Sequence, residues 1–115
     1  MISISILRNK KGLIHRYIVE GHADYREEGE DIVCAAVSVL AQTTLIALNE
    51  VCKIDEKDLD FNIDEDIGYL EVNLPRNLDR DKASRAEIVL RTFEIGIKSI
   101  IETYPKYITL KYREV

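Results

Sequence analysis

The sequence has little cysteine, no excess of basic charge and no glycine-rich phosphate-binding loop. Its 115 residues include two cysteines and two histidines, and their spacing fits neither a disulfide framework nor a zinc site. The 21 Asp and Glu outnumber the 16 Lys and Arg, so the net charge is −5. This balance argues against a nucleic-acid-binding protein and leaves open an attraction to basic protein partners. We therefore expect no metal, no cofactor and no direct contact with nucleic acid.

Targeting and membrane signals are also missing. The apolar run at the N-terminus is too short for a signal peptide, and no stretch approaches the ~20 apolar residues that a membrane span needs. These absences predict a cytoplasmic protein without membrane association, whose thiols are reduced unless they are functional. The mix of 46% hydrophobic and 32% charged residues predicts one globular domain over residues 1–115.

Hydrophobic periodicity predicts an element order of ββαββαβ. Alternating apolar residues predict strands at Met1–Leu7, Leu13–Glu20, Leu59–Ile63, Leu70–Leu74 and Tyr107–Tyr112. Helical spacing predicts helices over Asp31–Val51 and Asp81–Tyr104. This order is typical of an α+β domain with two helices packed on a mostly antiparallel sheet. Because the first helix is apolar nearly all round, we expect it to be buried on most faces, in the core or at a homodimer interface.

The stretch GHADYREEGEDIVCAAVS, from Gly21 to Ser38, holds the residues that could carry chemistry. Asp31 is predicted to cap the first helix, which places Cys34 in the first turn. There the free N–H groups and the helix dipole favour a thiolate, the reactive form of cysteine. His22 ends the second strand, and the loop between could bring it to Cys34 as the base of a thiol hydrolase. Ser38 follows Cys34 by one helical turn and shares its face.

Each of these residues also has a structural interpretation. A lone cysteine in an apolar helix is more often a small core residue, and Gly21 and Gly29 could serve only as turn residues. The acidic residues of the loop oppose a thiolate. The spacing alone therefore leaves three functions open: a protease, a non-catalytic module that binds basic proteins, and a thiol redox sensor. The sensor lacks a resolving cysteine, because Cys52 lies about five helical turns, or roughly 27 Å, beyond Cys34.

The block GHA, followed by Gly29, DIVCA and Ser38, resembles the ribosomal-processing cysteine protease family, Prp. The likeness extends to the length and the element order, so it covers nearly the whole chain. In that family a histidine and a cysteine form a catalytic dyad, which implies that His22 is the base and Cys34 the nucleophile. The supporting positions that the resemblance implies are Gly21, Gly29, Asp31 and Ser38.

The resemblance also implies an activity. Members of the family remove a short N-terminal extension, with aromatic residues just before the cleaved bond, from large-subunit ribosomal protein number twenty-seven. The expected reaction is acyl transfer, in which His22 takes the proton of Cys34 and later protonates the leaving amine. Backbone N–H groups at the helix start are the expected oxyanion donors. The family further implies a homodimer and a loop that closes over the peptide.

Overall fold

The protein is described by a computed structural model that covers residues 1–21 and 30–114, with Glu30 described by its backbone only. Its elements are β1 (Ile2–Arg8), β2 (Ile14–Glu20), α1 (Glu30–Glu50), β3 (Asp60–Asp64), β4 (Tyr69–Asn73), α2 (Arg80–Thr103) and β5 (Ile108–Glu114). The predicted order ββαββαβ is confirmed, and every predicted boundary lies within two residues of the observed one. A short 3-10 turn at Glu56–Asp58 was not predicted.

The five strands form one sheet in the order β3-β4-β2-β1-β5. Three of the four neighbouring pairs are antiparallel, and only β1 and β5 run parallel. The parallel pair arises because α2 carries the chain from β4 across the sheet to the far side of β1. The mostly antiparallel sheet that the sequence predicts is therefore confirmed.

The core lies between one face of the sheet and the two helices. Tyr17 and Val19 of β2 face the helices, opposite Ile6 and Ile4 of β1, whereas Ile18 points to the other face beside Ser5. The sequence left the facing of β2 ambiguous, and this register settles it. The Tyr17 hydroxyl donates a hydrogen bond to the carbonyl oxygen of Ala41, at 2.9 Å, and so holds α1 across β2. Burial raises the pKa of Tyr17 well above its usual value, so this hydroxyl remains a donor.

Only one face of α1 is buried within the chain. Val33, Val37, Ala41, Thr44 and Leu48 recur at helical spacing and pack on the core. The opposite face leaves Ile32, Val39 and Ile46 exposed by 59%, 66% and 54%. A helix resting on one sheet layer covers only one of its faces, so burial of α1 on most faces would require a homodimer interface, which stays a prediction.

The same apolar surface makes α1 resemble a membrane span. By length and composition, Asp31–Glu50 could cross a membrane, contrary to the expectation that no stretch approaches this limit. The core helix of a globular domain passes the same test. In this structure α1 packs on the sheet through its buried face.

A buried carboxylate on α2 ties that helix to two strands. Glu94 is 4% exposed and accepts hydrogen bonds from Arg8 of β1, at 3.0 and 3.1 Å, and from the hydroxyl of Tyr112 in β5. Arg91 and Lys98 lie 3.3 and 3.7 Å from its two oxygens. Burial opposes the charge, but the hydrogen bonds from Tyr112 and Arg8 and the charges of Arg8 and Lys98 outweigh it. The pKa of Glu94 is therefore held below its usual value.

Gly21, which directly follows β2, occupies a position that only glycine fits. Its φ is +96°, a conformation that other residues rarely adopt. A Cβ atom at this position would lie 2.5 Å from the carbonyl oxygen of Met1. The backbone of the first residue therefore packs directly against the point at which the chain leaves the sheet.

We expect Glu94→Gln to lower the free energy of unfolding by about 2 kcal/mol at pH 7, because it removes the charge that Arg8 and Tyr112 stabilise. The lowered pKa means that this stabilisation is present above the unfolded-state value of about 4.3 and is lost as the pH falls. Urea denaturation should thus show the parent and the variant converging at low pH. Glu102→Gln, at an exposed position of the same helix, is the control. A difference that is constant with pH would contradict this account.

We expect Gly21→Ala to lower the free energy of unfolding by about 2 kcal/mol or more, because it adds a clash with Met1 to the strain of a positive φ. Gly12→Ala is a matched control, since Gly12 has a φ of +81° but a Cβ atom there would meet no other atom within 4 Å. The control should lose stability only through backbone strain, by about 1 kcal/mol. Thermal unfolding of both variants measures the difference. Equal losses would show that the Met1 contact does not constrain this position.

Candidate active site

The predicted site begins at one end of the sheet, where β2 stops. Its last residue, Glu20, pairs with Ser3 of β1 on one side and with Tyr69 of β4 on the other. Gly21 follows, and His22 is the next residue in the chain. His22 and Gly29 both lie outside the described residues, so the prediction of a histidine base remains a prediction.

The course of α1 carries Cys34 towards this same end. Tyr17 contacts α1 at Ala41, and Cys34 precedes Ala41 by two helical turns, about 10 Å along the axis. The C-terminal end of α1 is followed in the chain by β3. The first residue of β3 pairs with Asn73, which pairs with Arg16, so β3 starts at the opposite end of the sheet. The N-terminal part of α1, with Cys34, therefore points towards the end at which β2 releases the chain.

The helix begins at Glu30, two residues before the first helical position that a cap at Asp31 predicts. Because α1 starts at Glu30, Asp31 is its second residue and does not precede the helix as an N-cap would. The residue before Glu30 in the chain, Gly29, lies outside the described residues. Asp31 is exposed in the first turn, where a carboxylate still interacts favourably with the helix dipole. Cys34 becomes the fifth helical residue instead of the third.

The two cysteines differ in how far solvent and substrate can reach them. Both are free thiols. Cys34 is half-buried and packs along the edge of the core, so part of it faces outward. Cys52 is fully buried, and burial raises the pKa of its thiol, with Arg85 acting weakly in the opposite direction. Thiol chemistry on an external substrate is therefore available at Cys34 and not at Cys52.

Ser38 lies one turn after Cys34 on α1 and is exposed. Its Oγ accepts a hydrogen bond from Nε2 of Gln42, at 2.9 Å. This bond links two successive turns on the outward side of the helix. Ser38 is therefore accessible beside Cys34, and Gln42 helps to orient its hydroxyl.

The second histidine lies away from this end of the sheet. His15 is half-buried near the start of β2 and lines a groove of about 500 Å³ with Lys10, Lys11 and Arg76 among its other walls. Burial and the charges of Arg16 and Arg76 lower the pKa of His15. No three His, Cys, Asp or Glu side chains within residues 1–21 and 30–114 are grouped so that they could hold a metal ion.

One constraint on the site was not visible in the sequence. The contact between Gly21 and the carbonyl of Met1 joins residues that are far apart in the chain, and no local pattern marks it. A glycine at the end of a predicted strand signals only a possible turn. The pairing of β1 with β2 places Gly21 against Met1 at the point where the chain leaves the sheet.

Comparison with known proteins agrees with this arrangement. The family described as "Cysteine protease Prp" matches residues 1–109. The ribosomal processing cysteine protease Prp of Staphylococcus aureus is 30% identical over 113 residues, which are 98% of this chain and 100% of that protein. The Prp of Bacillus subtilis is 28% identical over 104 residues, 90% of each chain.

Solved structures show the same fold. The S. aureus protease Prp in complex with a substrate peptide superposes with a TM-score of 0.81 at 28% identity, covering 97% of this chain and 99% of that one. SMU.848 from Streptococcus mutans gives a TM-score of 0.84 at 29% identity, covering 100% of this chain and 96% of that one. The fold, the accessible thiol near the start of α1 and these similarities agree: the chain belongs to the Prp family of cysteine proteases.

Proposed function

We propose that the protein is an endopeptidase that removes a short N-terminal extension from a large-subunit ribosomal protein, number twenty-seven, with Cys34 as nucleophile and His22 as base. The observation that carries this proposal is the accessible thiol of Cys34, on the part of α1 that points to the end of the sheet where β2 delivers residue 22. The family membership supports the reaction class.

The mechanism follows the chemistry of a thiol and an imidazole. His22 removes the proton from Sγ of Cys34, and the thiolate attacks the carbonyl carbon of the scissile peptide bond. His22 then donates that proton to the leaving amine as the C–N bond breaks, which leaves a thioester on Cys34. Water, deprotonated by His22, hydrolyses the thioester and regenerates the thiol. Free N–H groups at the start of α1 stabilise the oxyanion in both steps.

The relatives support a peptide substrate. The S. aureus enzyme has been solved with a substrate peptide and, separately, with a covalently linked product peptide. A covalent product is what an acyl-transfer mechanism leaves on a nucleophile. The name of that enzyme describes ribosomal processing, which supports a ribosomal protein as the substrate here.

The supporting residues have distinct roles in this proposal. Gly21 lets the chain leave β2 towards His22 at a position where the positive φ and the Met1 carbonyl exclude a side chain. Gly29 keeps the supporting role that the resemblance implies. Asp31 helps to set the start of α1, and Ser38 offers a hydroxyl to the substrate beside Cys34.

We also propose that the protein works as a cytoplasmic homodimer, without direct contact to nucleic acid or membrane. The outward face of α1 carries Ile32, Val39 and Ile46 at seven-residue intervals, so they form one apolar stripe along the helix. A second copy that packs its own stripe against this one would bury the apolar surface that the chain leaves uncovered.

We expect Cys34→Ala and His22→Ala each to abolish cleavage of a peptide that spans the extension junction, because each removes one member of the proposed dyad. Mass spectrometry of the products measures the cleavage. Cys52→Ala is the matched control and should retain activity, since Cys52 is buried in the core. Loss of cleavage in Cys52→Ala but not in Cys34→Ala would show that the nucleophile is assigned wrongly. A His22→Ala variant with full activity would exclude the proposed base.

We expect Val39→Glu to convert the dimer to a monomer of 13.2 kDa, because it places a charge in the middle of the apolar stripe. Sedimentation at micromolar concentration distinguishes the two states. Thr109→Glu is the control, since Thr109 is exposed on the opposite face of the sheet and should leave the dimer intact. A parent protein that sediments as a monomer would refute the dimer, and a dimeric Val39→Glu would place the interface elsewhere.

A further inference from the structure

The strand β3 forms one edge of the sheet. It pairs with β4 on one side, and no described strand adjoins its other side. An edge strand presents unpaired backbone N–H and C=O groups, which can form hydrogen bonds with an added extended chain. Four of the five residues of β3 are exposed, so the backbone edge is open to such a chain.

An apolar row runs along this edge. Phe61 lies beside Val72 and Ile63 beside Leu70, on the face of the sheet that carries the helices. Phe61 is half-buried, and Ile63 remains 54% exposed. Side chains on every second residue of an added strand would reach this row.

The apolar row leads to the candidate active site. β3 ends at Asp64, which pairs with Tyr69, and Tyr69 pairs in turn with Glu20 at the end of β2. Gly21 and His22 follow directly. An extended chain that lies along β3 therefore arrives at the end of the sheet towards which the N-terminal part of α1 points.

We propose that β3 is a docking strand for the substrate. A basic, extended segment on the mature side of the cleaved bond adds to the free edge of β3 and places side chains on Phe61 and Ile63. This inference rests on the proposed function, and it adds a binding region outside the dyad.

The charge around β3 identifies the occupant. The segment from Asp55 to Asp66 contains seven acidic residues and one basic residue, Lys57. A basic peptide is complementary to this charge. Ribosomal proteins bind RNA and are accordingly rich in Lys and Arg. A second copy of this chain would instead set the acidic β3 against itself, which is unfavourable for directly opposed residues.

Docking at this distance from the reacting bond should change affinity more than turnover. The contacts on β3 are made equally in the bound substrate and in the transition state, so their loss raises KM and leaves kcat nearly unchanged. Added salt should weaken the same contacts because the attraction is partly electrostatic.

The test compares two synthetic peptides that share the extension and the cleaved bond. The short peptide ends two residues after the bond, and the long peptide continues through the next eight residues of the mature protein. The parent should show a KM at least about five-fold lower for the long peptide, an advantage that declines with added salt. If it cleaves both peptides with equal KM, the docking proposal is wrong and the proteolytic function stands.

Ile63→Ser should remove most of that advantage by raising KM for the long peptide alone. Ile88→Ser is the matched control, because Ile88 is a similarly exposed isoleucine on α2 and should behave as the parent. Circular dichroism confirms that both variants are folded. An Ile63→Ser variant with the parent's KM for the long peptide, or one that changes only the sedimentation of the protein, would overturn the proposal.

A binding measurement separates this inference from the proposed function. Amide chemical shifts of residues 60–64 in Cys34→Ala should move on addition of the long peptide and not of the short one. Shifts at these amides without cleavage by the parent would support docking and count against the proteolytic function. Cleavage by the parent without such shifts would support the proteolytic function and count against docking on β3.

Discussion

The placement of α1 across β2 is the constraint on which the site depends. The Tyr17 hydroxyl reaches the Ala41 carbonyl from the middle of the sheet, and the Tyr17 ring lies 4.5 Å from that of Phe93 on α2. One aromatic side chain thus contacts both helices and the sheet. With α1 held at Ala41, Cys34 lies two helical turns away, towards the end at which β2 stops. Cys52 lies in the core. The chemical difference between the two thiols follows from that single packing arrangement.

The two edges of the sheet differ in how they are covered. At the β5 edge, Glu94 of α2 accepts hydrogen bonds from Arg8 and Tyr112 and forms an ion pair with Lys98. These contacts hold α2 against the outermost strands. At the β3 edge the described residues form no comparable cluster, Ile63 is exposed, and the side chains are polar and apolar in alternation. A closed edge stabilises the fold, whereas an open edge next to the site can accept a peptide backbone. The asymmetry gives a small protease a binding surface without an additional domain.

Much of the fold was predictable because its signals are local. Alternation in β1 and the spacing along α2 specify strand and helix within a few residues, and the element order follows from them. The start of α1 was predicted two residues late, with Asp31 as the cap, since Asp31 and Glu30 are both suited to a helix start. The residues around Cys34 predict it as the nucleophile, and this stays a prediction. The accessibility of Cys34 could not be predicted, because a helix that is apolar nearly all round can bury any of its faces.

The sequence by itself determined the elements and their order, and it predicted the cysteine of the candidate site, since each depends on residues close together in the chain. Only the tertiary structure decided which face of β2 is buried, that Gly21 packs on Met1, that Glu94 is shared by α2, β1 and β5, and that β3 is a free edge. These features join residues that are distant in sequence, so they exist only once the strands have paired and the helices have docked. Periodicity and propensity act within a segment and carry no information about which segments meet.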